Sequence, residues 1–302
     1  MEKIGVVTVT YNSDKVLQPF LSDLFAQSFH NFNLYVIDNA SEDKTLKILD
    51  DLNDNRVNQI RNHSNIGVAA ANNIGIKKAL EDKCSHILIL NNDIEFSNTL
   101  FKDMLVSIKK ENCSMMTPKI MYHSDKDIIW YAGGGFKKSN GYLPYHTGFN
   151  ENIKNNNYQS LYVDYASTCC LLIKKDVFET IGYMDEKYFV YFDDTDFLFR
   201  VKKEGVHKIY YDSQITLFHK VGSLTKSLTK EFERSYRTHF FLKQNIRNHI
   251  YFLRKIGSVY SYLFCLFLFF KNNLRFLFSS RIKKDFSTFL IINKSYFQGW
   301  FL

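Results

Sequence analysis

From Ile4 to about Lys110 the chain alternates short β-branched apolar runs with stretches whose apolar residues recur at helical spacing. No other feature constrains the fold as strongly. Ile4–Thr10 is the first such run. Val16, Leu17, Phe20, Leu21, Leu24 and Phe25 then repeat as one face of a helix. Asn33–Asp38 reads as a second strand, and Ser41 as the cap of a following helix. An alanine-rich helix is expected over Gly67–Leu80, a wholly apolar strand over His86–Leu90, and a further helix from Thr99 to Lys110. This order predicts an α/β fold: a mostly parallel, Rossmann-like sheet with helices on both faces.

Ligands of such sheets bind beyond the carboxyl ends of the strands. The polar residues collect there. Thr10, Tyr11 and Asn12 end the first strand, Asp38 and Asn39 the second, and Asn91, Asn92 and Asp93 another. No G-x-G-x-x-G follows the first strand and no G-x-x-x-x-G-K-S/T occurs, which disfavours a nicotinamide dehydrogenase or a P-loop enzyme. The five cysteines are irregularly spaced with no C-x-x-C, so neither a zinc site nor a disulfide framework is expected and a reducing compartment fits better. The N-terminal run lacks a signal-peptide core and cleavage site, and reads as the first strand.

Lys119 to Tyr162 is polar and turn-rich, with Trp130 and Gly133-Gly134-Gly135, and reads as a long insertion or lid. Val163–Ile173 is expected as a strand, Lys175–Ile181 as a helix, and Phe192–Lys203 leads into another helix. Lys208–Tyr211 and Ile215–Phe218 read as two short strands, and the pattern after Val221 is helical. The cluster Asp193-Asp194-Thr195-Asp196 opens a helix, where one carboxylate serves as a cap; a cap does not require three.

Six stretches in register resemble glycosyltransferase family 2, the inverting GT-A enzymes, and within it the bacterial rhamnosyltransferase-like branch. They are VTVTYNS (Val7–Ser13), VIDNASED (Val36–Asp43), NIGVAAANNIGI (Asn65–Ile76), LILNNDIE (Leu88–Glu95), the block from Leu171 to Gly205, and ITLFHKVGS (Ile215–Ser223). The resemblance implies transfer of a sugar from a nucleotide-sugar donor to an acceptor hydroxyl. It places Thr10, Tyr11, Asp38, Asn65 and Asn92 at the nucleotide: Tyr11 as a flat face, Asp38 as acceptor for an imide N–H. A plain turn at Asp38-Asn39 and a core tyrosine at Tyr11 are the alternatives. The small residues Ala69–Ala71 permit close approach to a ligand, or tight helix packing.

A departing nucleoside diphosphate gathers negative charge, which a hard dication such as Mg²⁺ or Mn²⁺ stabilises through carboxylate and water oxygens. Asp93 is the candidate ligand, at the last position of the family's metal motif, while Asn91 stands where that motif has a carboxylate. His219 is implied as a second ligand, against a structural histidine at a strand end. The resemblance puts the base at Asp194; Asp193 orients it, and Asp196 binds the acceptor or holds the helix. Trp130 and Gly134 fall where similar enzymes shape the sugar and acceptor pocket, and Ser167-Thr168-Cys169-Cys170 departs from the family, which often has a glycine there.

The net charge of +8 is divided unevenly. Lys220–Leu302 has 15 lysines and arginines against 3 acidic residues, a net of +12, leaving −4 on the rest. A partner bearing negative charge follows. Val259–Phe270 is too short an apolar run to span a bilayer, which needs about 20 residues. With basic flanks it suits an anionic membrane interface, or else burial against the catalytic domain or a second subunit. The expected organisation is a GT-A domain over 1–223 and a basic, aromatic, helical region over 224–302. The expected activity is inverting, metal-dependent transfer from a UDP- or dTDP-sugar, dTDP-rhamnose among them, to a lipid-linked capsule or O-antigen polysaccharide. The site of action is the cytoplasmic face of the membrane, the protein peripheral there and compatible with an oligomer. The rivals are a nucleic-acid-binding protein using the basic tail, which leaves the body's ordered carboxylates unexplained, a nucleotidyltransferase, and a non-catalytic sugar-nucleotide-binding subunit; no nucleic-acid partner is expected.

Overall fold

A computed structural model describes residues 2–221, 239–279 and 283–302. Its body is built on β1 (Ile4–Thr10), α1 (Asp14–Phe25), β2 (Phe32–Asp38), α2 (Thr45–Asp50), β3 (Val57–Arg61), α3 (Val68–Glu81), β4 (His86–Leu90), β5 (Ile94–Phe96) and α4 (Leu100–Lys110). Then follow β6 (Met115–Tyr122), β7 (Ile129–Tyr131), β8 (Gly134–Lys137), β9 (Leu143–His146), β10 (Leu161–Val163), β11 (Cys170–Lys174), α5 (Lys175–Ile181), α6 (Asp193–Glu204) and β12 (Ile209–His219). Three helices of the C-terminal region are described: α7 (His239–Ile256), α8 (Val259–Phe278) and α9 (Phe286–Phe301).

The sheet order is β10-β12-β6-β11-β4-β1-β2-β3. β3, β2, β1 and β4 run parallel, and β6 and β12 run parallel to each other; β11 lies antiparallel between the two groups. β1 and β4 are mostly apolar and buried along nearly their whole length, covered on both faces as central parallel strands are. α1 buries Val16, Leu17, Phe20, Leu21 and Leu24, the stripe that its periodicity predicts; each such side chain contributes about 1.5–3 kcal/mol when removed from water. On α3 the small residues serve packing. Ala69, Ala71 and Ala79 are buried, and a Cβ on Gly75 would stand 2.6 Å from both Val7 and Ile37.

The expected architecture is present, with local differences. β3 and β6 escape a reading by pattern. β3 is a half-exposed edge strand of mixed polarity. β6 contains Pro118, which ordinarily argues against a central strand. It is tolerated because the β12 register shifts beside it, between Asp212 and Thr216, and β11 pairs only Met115 and Met116. That same bulge makes one bent strand of the two expected around Ser213. The strand expected over Val163–Ile173 is broken into β10 and β11, and the intervening turn carries Tyr165. Ser41 does not cap α2, which starts at Thr45; its hydroxyl and N–H bond Asp38 instead.

The tail packs on the body. Ile250 and Leu253 of α7 form a core with Phe264, Cys265 and Leu268 of α8, and Tyr251 and Phe252 form another with Tyr188 and Phe192. A glycine at 299 lets α9 lie against the α7 backbone at Arg247. The expected division at 223/224 and the Gly222-Ser223 end of the last motif fall outside the described residues. Among the described residues no helix is long and apolar enough to cross a membrane.

Candidate active site

Parallel register brings Thr10 and Asp38 side by side at the ends of β1 and β2. The Thr10 hydroxyl donates to Asp38 Oδ1 at 2.8 Å; Ser41 donates its hydroxyl to the same oxygen at 2.6 Å and its N–H to Oδ2 at 2.9 Å. Asp38 is 1% exposed. A carboxylate accepts about four hydrogen bonds, so three internal donors leave room for one more, at Oδ2. Tyr11, next in sequence, is 49% exposed and is the flat face available at this edge. Asn39 donates to the Gly67 carbonyl at 3.1 Å, and Asn65 accepts from the Gly67 N–H at 3.0 Å. Asn65 thereby shapes the turn into α3, where Gly67 has a φ of 88°. Asn92 is buried, its amide donating to the Val9 carbonyl at 2.9 Å. It fastens the β4 end to β1 rather than offering its amide to a ligand.

β12 closes the site from the other side. It pairs with β5 so that His219 faces Ile94, and the Lys220 N–H donates to the Asp93 carbonyl at 2.8 Å. His219 Nε2 then lies 3.2 Å from Asp93 Oδ1. Burial works to lower the His219 pKa, but its partners raise it well above the ordinary value. Cys169 is one of these only as a thiolate, and burial pushes that thiol up and keeps it protonated. The Asp93 carboxylate, 3.2 Å away, is the charged partner that works in the same upward direction. His219 Nδ1 is buried with no hydrogen-bond partner.

Asp93 and His219 together offer one carboxylate oxygen and one imidazole. Among the described residues no cluster of three or more His, Cys, Asp or Glu could hold a metal. The pair does not make an all-protein cage. It fits a hard dication that completes its shell with phosphate and water oxygens. An imidazole ligates a metal only through a deprotonated ring nitrogen, so ion binding there competes with protons.

Aromatic rings continue from His219. The Trp130 ring stands edge-on to His219 at 4.8 Å and to His146 at 4.7 Å, and His146 stacks on Tyr165 at 5.9 Å. The Tyr165 hydroxyl donates to Asp194 Oδ2 at 2.6 Å. A row of side chains thus joins the Asp93–His219 corner to the aspartates of α6. Trp130 belongs to this row. Gly134 supports it: its carbonyl accepts from the Asp164 and Tyr165 N–H groups at 3.2 Å, and a Cβ on it would meet the Tyr145 carbonyl oxygen at 2.5 Å.

The aspartates differ in environment. Asp193 is buried, and burial together with the neighbouring Asp194 charge pushes its carboxyl up to about 7. Asp194 is half-buried; Oδ1 accepts from the Thr195 N–H at 2.6 Å and hydroxyl at 3.1 Å. Asp196, expected either to bind the acceptor or to hold the helix, makes contacts of the second kind. It is 2% exposed and ion-paired to Arg200 at 2.9 Å and to Lys255 of α7 at 2.6 Å. Its charge is spent on joining α6 to the tail; removing one partner of such a buried pair costs about 3–5 kcal/mol. Ahead of the cluster, Tyr191 and Phe192 have φ values of 64° and 72°. Two successive non-glycine residues in that region store roughly 1–3 kcal/mol each.

Tyr165, His146 and Cys169 join the site without having been candidates. His146 lies in the turn-rich insertion and Tyr165 in a stretch expected to be a strand, and nothing in the sequence pairs them with Asp194 or Trp130.

The family model for glycosyl transferase family 2 matches residues 5–182. The low-salt glycan biosynthesis hexosyltransferase Agl10 of Haloferax volcanii is 24% identical over 210 residues, 68% of this chain and 64% of that protein. This chain therefore spans just under two thirds of that relative's length. The dTDP-rhamnosyl transferase RfbF of Shigella flexneri is 27% identical over 221 residues, 72% of this chain and 69% of that protein. Among solved structures, GalNAc-T7 with UDP, GalNAc and Mn²⁺ superposes with a TM-score of 0.59 at 17% identity, covering 72% of this chain and 44% of that one. At that identity the likeness shows the fold, which is GT-A. By its sequence match over the body and by this fold, the chain is a member of glycosyltransferase family 2.

Proposed function

We propose that this enzyme transfers a sugar, with inversion, from a UDP- or dTDP-sugar to a hydroxyl of a growing lipid-linked surface polysaccharide of the capsule or O-antigen type. The observation that supports this reading is the row of side chains that links the Asp93–His219 corner to Asp194, a pair suited to a diphosphate's dication and a carboxylate suited to a base. A dTDP-sugar is favoured by the likeness to RfbF, which is named for dTDP-rhamnosyl transfer.

The donor's base lies against Tyr11, its imide N–H directed to the open position on Asp38. Asp93 and His219 would hold the dication, which supplies a Lewis acid for the charge of the departing diphosphate. Asp194 takes the acceptor proton as the hydroxyl oxygen bonds to the anomeric carbon and the bond to the diphosphate oxygen breaks; a positioned base contributes about 10²–10⁴-fold. Tyr165 fixes the Asp194 carboxylate from one side and Thr195 from the other.

The division of labour between a catalytic body and a tail at the membrane belongs to the same proposal. α8 exposes Leu263, Leu266, Phe267 and Phe270 beside Lys271 and Arg275, and α9 exposes Phe286, Phe289 and Phe297. Apolar side chains bordered by cations match an anionic membrane interface, where a lipid-linked acceptor is found.

The test is thermal stabilisation of the full chain by UDP-, dTDP- and GDP-sugars with and without Mn²⁺, followed by turnover with the donor that binds. Mn²⁺-dependent stabilisation by one donor class supports the reading. No stabilisation by any donor removes the reading, and stabilisation without turnover favours the non-catalytic sugar-nucleotide-binding subunit.

A further inference from the structure

The turn that delivers the α6 aspartates is gripped from both sides. On one side stands α3. The Val68 N–H donates to the Phe189 carbonyl at 2.7 Å, and Gly67 has no space for a side chain against Phe189. Asn73 bonds both the N–H and the carbonyl of Met184, at 3.0 and 2.8 Å. On the other side stands α7. Asn248 is 0% exposed, and its amide nitrogen donates to the carbonyls of Val190 and Tyr191, each at 2.9 Å. Its oxygen accepts from Arg247 Nε at 2.9 Å, and Arg247 also donates to the Lys187 carbonyl at 2.9 Å.

A buried amide is unfavourable unless its hydrogen bonds are made. Both donors of this one go to successive carbonyls of a turn with two left-handed residues, Tyr191 and Phe192. Strained backbone persists only where its surroundings over-determine it. Asp193 and Asp194 follow directly.

We propose that Asn248 is a positioning residue for transfer: it holds the left-handed Tyr191-Phe192 turn and thereby sets the Asp193-Asp194 pair, making the first tail helix part of the catalytic apparatus. The link to the reaction rests on Asp194 as base. Without the two bonds the turn relaxes, and the carboxylates leave their place against Tyr165 while the donor edge at Thr10, Tyr11 and Asp38 is untouched.

The experiment compares Asn248→Ala, Asn248→Ser and Asp194→Asn with the wild-type full chain. It reads kcat, donor KM, Tm and amide hydrogen exchange of the segment 189–196. A misplacement of about 1 Å costs about 10²-fold, so Asn248→Ala is expected to lose about that in kcat. Donor KM should stay within about threefold, because the donor edge is unchanged, and exchange over 189–196 should rise. Asn248→Ser retains one hydroxyl donor and should fall between; it also serves if the alanine variant does not fold. Wild-type kcat, unchanged exchange, or a parallel loss of donor binding overturns the proposal. If Asp194→Asn is inactive while the Asn248 variants turn over normally, the positioning role fails and the base reading stands. If Asp194→Asn turns over while Asn248→Ala is slow with a loosened turn, the base reading fails and the positioning role stands.

Discussion

The Tyr165 hydroxyl, at the turn between β10 and β11, donates to Asp194 Oδ2 at 2.6 Å and so fixes a carboxylate borne by a different element. A hydrogen bond to a charged group contributes about 1.5–3 kcal/mol. Tyr165→Phe keeps the ring stacked on His146 and removes only that bond. Steady-state kinetics should show kcat lowered by roughly 10- to 100-fold, with donor KM little changed. An unaltered kcat would show that the bond does not position the base.

The two adjacent aspartates should respond differently to amidation. Asp194→Asn should lose about 10²–10⁴-fold in transfer while donor affinity, followed by calorimetry, is retained. Burial and the neighbouring Asp194 charge push the Asp193 carboxyl up from its ordinary value, which favours its protonated form. Asp193→Asn mimics that protonated form and should keep activity within about tenfold of wild type near pH 7, since no base is lost, but flatten the pH–rate profile there. If instead Asp193→Asn is the dead variant, the roles are exchanged.

His249 provides a stability test. It is buried, its Nε2 bonded to the Gly141 carbonyl at 2.8 Å, and burial lowers its pKa from 6.5 to about 4. Between those values the unfolded chain binds a proton that the folded chain does not. Its contribution is full above about pH 6.5 and is lost as the pH falls towards 4, on the order of 2 kcal/mol between pH 7 and 5. Gln in place of His249 retains a donor for Gly141 without titrating. Urea denaturation at the two pH values should show a shallower loss in His249→Gln; equal losses would remove His249 as the cause.

The exposed face of α8 is tested by charge. Leu263, Leu266 and Phe270 are more than half exposed and lie outside the α7–α8 core, so replacing all three by Glu leaves that core in place. Wild-type protein should float with phosphatidylglycerol-containing vesicles and detach as salt rises, since Lys271 and Arg275 attract the anionic surface. The triple variant should remain in the aqueous fraction. Flotation of both alike would contradict the interfacial reading.

Much of this was legible from pattern. β1, α1, β2, α3 and β4 announce themselves because local periodicity and burial coincide, and a parallel sheet follows from their order. Thr10, Asp38 and Asp93 could be nominated because strand ends are marked by the change from apolar to polar residues. Tertiary structure decided what those side chains do. Asn92 and Asn65 spend their hydrogen bonds inside the fold, and Asp196 is neutralised by Arg200 and by Lys255, 59 positions away in sequence. Tyr165 and Asn248 reach the base turn from a loop and from the tail, and neither has a neighbour in sequence that foretells it. Periodicity records which face of one element is buried. It carries no record of which element lies opposite, and that opposition is what sets the charge, the hydrogen-bond partners and the backbone strain around Asp194.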